Sequence, residues 1–107
     1  MSTDRLAQLR HMLVEEPGDL FIRYAIALEL KRAGEMKEAV DGLKAILAEE
    51  PKHIASYYQL ALMQAEMGHT QEAIRTCDAG ALECLVTGDR KARAELLELR
   101  EALADED

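Results

Sequence analysis

The chain has no tryptophan, one phenylalanine and three tyrosines among its 107 residues. β-Branched residues are also few, and this composition disfavours a sheet protein. There is no excess of basic residues. The formal net charge is −8, which argues against nucleic acid or an anionic membrane surface as a partner, since both need a basic footprint. No apolar run approaches the ~20 residues of a membrane span. Met1-Ser2-Thr3-Asp4 shows no basic stretch leading into an apolar one, so no signal peptide is visible and a cytoplasmic location is expected. The only two cysteines, Cys77 and Cys84, are seven residues apart. On one helix that separation is about 10 Å, too far for a disulfide. Both are expected as buried thiols in a reducing compartment.

The chemistry of catalysis is also missing. His11, His53 and His69 are scattered, and none shares a helical turn with a cysteine or another histidine. There is no metal-ligand spacing, glycine-rich phosphate loop, nucleophile elbow or His-Glu-x-x-His. The expectation is a non-enzyme with no cofactor and no metal.

What the chain does have is alanine and leucine. Hydrophobic residues make up 49%, enough for the core of one compact domain. Pro17-Gly18, Gly34, Pro51, Gly68 and Thr87-Gly88-Asp89 break the chain into six segments. Within each, apolar residues recur at steps of three and four. Examples are Leu6, Leu9 and Leu13, then Ile22, Ile26 and Leu30, then Ala39, Leu43 and Ile46. This spacing is helical, and no segment alternates as a strand would. Short gaps make neighbouring helices antiparallel. Asp19, Thr70 and Asp89 are candidate N-caps. Met12, Met36, Met63 and Met67 read as core filler at helical spacing. Gly80, inside the fifth segment, predicts close helix packing.

The breaks recur with a fixed period. Tyr24 and Tyr58, Ala27 and Ala61, Leu28 and Leu62, Gly34 and Gly68, and Ala39 and Ala73 are all separated by the same interval. Pro17 and Pro51 share the offset. Such a period marks stacked supersecondary units with one continuous core. The pattern resembles the tetratricopeptide repeat family, in which a helix A, a turn and a helix B recur every ~34 residues. The resemblance rests on Ala27, Leu30, Gly34, Ala39, Leu43 and Pro51, then on Tyr57, Leu60, Ala61, Gly68, Ala73 and Gly80. It departs at four places. Arg23 and Gln64 replace large apolar residues, Ile46 a small one, and Leu85 the closing proline. It implies an all-α solenoid of two hairpins, at 20–53 and 54–87. A lone helix B would precede them at 3–15, and a lone helix A would cap them at 89–104. Leu97 lies off the main stripe of that last helix. It is either a scattered surface leucine or part of a contact with a second copy.

The resemblance also implies non-catalytic protein binding, with a peptide or helix lying on the concave face of the A helices. The residues expected there are Phe21, Tyr24, Leu28, Lys31, Arg32, Tyr58 and Leu62. Their aromatic and aliphatic groups would be anchors, and the two cations would meet a partner carboxylate. Lys31 and Arg32 also stand in a last helical turn, where the dipole favours cations by itself. Family members that clamp a terminal carboxylate use lysine and asparagine where this chain has Tyr24, Leu28 and Gln59, so that clamp is not carried over. The other reading is a self-associating scaffold, a homo-oligomer whose groove is filled by its own last helix or a second copy.

Overall fold

Two of the turns that separate the helices are built on glycines that break the pattern. At Gly34 (φ +83°) the Gly34 amide donates to the Lys31 carbonyl at 3.1 Å, and the Glu35 amide to Leu30 at 2.9 Å. At Gly68 (φ +82°) the Gly68 amide donates to Ala65 at 3.0 Å, and His69 to Gln64 at 2.8 Å. Both are Schellman closures, and both need the left-handed conformation that glycine reaches without strain.

The computed structural model describes residues 2–105. They form six helices: α1 (Ser2–Glu15), α2 (Leu20–Arg32), α3 (Met36–Glu49), α4 (Ile54–Glu66), α5 (Thr70–Thr87) and α6 (Arg90–Ala104). The fold is all-α, with no strand among the described residues. Asp19 caps α2 by accepting from the Ile22 amide at 2.9 Å, and Asp89 caps α6 by accepting from Ala92 at 3.1 Å. Thr70 does not cap. It is already the first residue of α5, and the position before it is His69, whose side chain makes no capping bond.

The helices pack mainly on their sequence neighbours, and α6 also reaches back to α4. The core has two clusters. One holds Ala27, Leu30, Val40, Leu43, Ile46 and Met63, and the other Tyr57, Ala61, Cys77, Cys84, Leu96 and Leu103. Helix α4 serves both, with Leu60 and Met63 on one side and Tyr57 and Ala61 on the other. Cys77 and Cys84 are buried free thiols. Met12 differs from its expected core role, being 50% exposed on α1, which has no helix packed before it.

Gly80 lies against α4. A Cβ there would come within 2.7 Å of the Tyr57 Cβ and 2.9 Å of a Leu96 methyl. Glycine in a helix interior loses roughly 1 kcal/mol against alanine, and the close α4–α5 contact offsets it. Gln64, another departure from the repeat pattern, is buried but satisfied: the Thr76 hydroxyl donates to its Oε1 at 2.6 Å.

Candidate functional site

Leu28, Lys31 and Arg32 come from the last half of α2, and Gln59 and Glu66 from α4. With Met36 they surround a groove of about 370 Å³. Leu28 is half-buried and packs against the first core cluster, forming the groove's apolar wall. The cations are engaged within the chain. Lys31 Nζ lies 3.9 Å from a Glu66 carboxylate oxygen, and an Arg32 Nη1 lies 3.7 Å from Glu29 Oε1. Both contacts are long; Glu66 is exposed, which weakens the first, whereas the Glu29 that meets Arg32 is buried.

Tyr24 is half-buried on α2 and packs on the same cluster. Its ring lies 5.4 Å from that of His53, at a tilt of 52°. Burial pushes its phenol pKa above the usual value. The His53 Nδ1 is 2.8 Å from the Ser56 hydroxyl, which fixes the imidazole as a wall for the tyrosine.

Tyr58 and Leu62 are half-buried on α4. Tyr58 packs against the second cluster. The last helix, α6, supplies Leu96 and Leu103 to that cluster. It packs on α5 and α4, and Phe21 at the opposite end is 77% exposed. Phe21 stands apart from the others, sharing a second groove with Met12 and Ile22 between α1 and α2.

Residues absent from the expected set also shape the site. Glu66 replaces, one repeat on, the cation Arg32, and this reversal of sign is visible in the sequence. Glu29 is buried and joins Arg32 to Arg5 of α1, whose Nε lies 3.0 Å from Glu29 Oε1. Nothing in the sequence marks it as buried except its place on the α1-facing side of α2. Among the described residues, no group of three His, Cys, Asp or Glu side chains could hold a metal ion.

The row of antiparallel hairpins, with matching Schellman turns at Gly34 and Gly68, has counterparts among solved structures. A tetratricopeptide repeat domain protein from Salinibacter ruber is 25% identical, with a TM-score of 0.78 over 81% of this chain and 88% of that one. The chain has the tetratricopeptide-repeat fold. The TPR2B domain of yeast Sti1, in a structure described as its pHsp70 complex, superimposes with a TM-score of 0.89 at 16% identity. That match covers 99% of this chain and 85% of that one. A protein from Bordetella parapertussis gives 0.84 at 20% identity, covering 95% and 89%. No family model and no curated protein sequence matches the chain. No helix among the described residues is long and apolar enough to cross a membrane.

Proposed function

We propose that the chain is a non-catalytic protein-binding module. It takes an extended peptide or a helix along α2 and α4. Tyr24, Leu28, Tyr58 and Leu62 form an apolar strip, while Phe21 lies apart from it, in the groove between α1 and α2. Lys31 and Arg32 receive an acidic group at the polar end. The observation that carries this reading is the open groove between Leu28 and Gln59, bounded by cations on one helix and Glu66 on the other. Apolar side chains beside a few polar groups suit the helix-in-groove mode. The yeast Sti1 domain, whose structure is described as a complex with pHsp70, supports a protein partner in general.

The test is selection from a random peptide library on the immobilised chain, followed by amide shift mapping. Peptides with apolar residues and a nearby carboxylate should shift amides of α2 and α4. Lys31→Glu places a second carboxylate beside Glu66 without touching the core. It should weaken the selected peptides about tenfold, equal to about 1.4 kcal/mol. Peptides that bind the variant as well as the native chain, or that shift only other helices, would place the binding site elsewhere.

A further inference from the structure

The large apolar side chains left exposed lie on the first two helices and on α5. Among the described residues they are Met12, Val14 and Phe21 on α1 and α2, and Leu82, Leu85 and Val86 on α5. None lies on α3 or α4, the middle of the row, or on α6. Scattered surface leucines are ordinary, but clustering at the open ends of a solenoid is not scatter. It is surface that a further helix would cover.

Each end carries a groove of similar size. The front groove, about 520 Å³ between α1 and α2, has Met12, Phe21 and Ile22 flanked by Glu15 and Glu16. His11 and Asp19 also line it, and Asp19 is committed to its cap. The back groove, about 490 Å³ between α5 and α6, has Leu85, Ala94 and Leu97 flanked by Arg90 and Arg93. One apolar groove is thus rimmed by carboxylates and the other by guanidinium groups, in a chain whose net charge is −8. Among the described residues, Glu15, Glu16, Arg90 and Arg93 enter no ion pair.

Direction matches as well. Successive helices alternate, and the row has an even number, six. The α1 of a following copy would run opposite to α6, as a seventh helix would. We propose that the occupant of each end groove is a second copy of this chain. The α1 of one copy lies in the α5–α6 groove of the copy before it, and the α6 of that earlier copy lies in the α1–α2 groove. The contact is head-to-tail, so it does not close on itself and builds an open row. This inference does not rest on the concave-face reading, because its residues lie at the ends.

Sedimentation equilibrium of the full chain tests it, from micromolar to millimolar concentration at low and high salt. The mass should rise from the 11.9 kDa of one chain past two chains without a plateau. It should fall at high salt, which screens exposed pairs. Charge exchange gives the sharper result. Arg90→Glu with Arg93→Glu makes both ends acidic, and Glu15→Lys with Glu16→Lys makes both ends basic. Each double variant alone should associate at least about tenfold more weakly than the native chain. An equimolar mixture should recover the rising mass. All four side chains are exposed, so folding should persist, and melting curves will verify it. Leu85→Lys offers a second route to the same loss. A native mass fixed at one chain, a plateau at two chains, or a mixture that fails to recover would each overturn the proposal.

Discussion

The two hairpins solve the same packing problem with opposite residues. In α2–α3, Arg23 and Ile46 occupy the places that Tyr57 and Gly80 hold one repeat later in α4–α5. Ile46 is fully buried, and Arg23, itself largely buried, pairs with the more exposed Glu49 at 2.7 Å. In the second hairpin the large group sits on the other helix. Tyr57 fills the space above Gly80, and its hydroxyl donates to the Pro51 carbonyl at 2.6 Å. The fully buried bulk at this contact lies on α3 in the first hairpin and the aromatic ring on α4 in the second. One backbone spacing therefore accepts two distributions of volume, provided that both partners change together.

Copying one hairpin into the other should break this arrangement most severely. Gly80→Ile would drive a branched side chain into Tyr57 and Leu96. A loss above about 3 kcal/mol is expected, a large share of the total stability of a small domain. Urea unfolding should show it, with α4–α6 losing its structure first. The converse, Ile46→Gly, leaves a cavity and a flexible helix position, for about 3–5 kcal/mol. Adding Arg23→Tyr should recover part of that loss, and a double-mutant cycle would measure the coupling.

The second cluster also differs in holding both thiols. Burial pushes Cys77 up to about 11 from its usual 9, with Asp78 adding to the rise and Arg100 opposing it. The unfolded chain sheds this proton above pH 9, whereas the native state holds it until about pH 11. Stability is therefore complete below pH 9 and declines as pH rises through that window, by about 2–3 kcal/mol for a two-unit shift. Cys77→Ala should flatten the alkaline decline of the melting temperature. An unchanged decline would assign it to other groups.

Smaller effects refine the comparison. Thr76→Val removes the donor to buried Gln64 and should destabilise by about 1–3 kcal/mol, while Thr76→Val with Gln64→Leu should lie much closer to native. Arg23→Met breaks a pair whose acid, Glu49, is largely exposed, so less than about 1 kcal/mol is expected.

The helices and their breaks were legible because three turns need a left-handed residue and glycine stood at each, Gly34, Gly68 and Gly88. The caps were less so. Thr70 looked like an N-cap, but the Schellman turn hands the chain into α5 one residue earlier, through the His69 amide. Gln64 stood out as a departure, yet its remedy lay twelve residues on, at Thr76, where helical period gives no hint. For the candidate site, spacing put Tyr24, Leu28, Tyr58 and Leu62 on matching faces of two helices. It could not say how far α6 covers them, since the packing of α6 on α4 depends on the angle of a turn. Nor did it separate Phe21 from the strip, because the face Phe21 shares with Met12 exists only once α1 is docked.

That docking is thin. Helix α1 has one buried side chain among its described residues, Leu9, and two arginine contacts to neighbouring helices, Arg5 to Glu29 and Arg10 to Glu38. It should therefore be the piece that opens first and most often. Its amides should exchange with solvent through frequent local opening, while those of α4, buried between two clusters, wait for the whole chain to unfold. The molecule thus keeps two clocks, and its first fourteen-residue helix runs on the faster one.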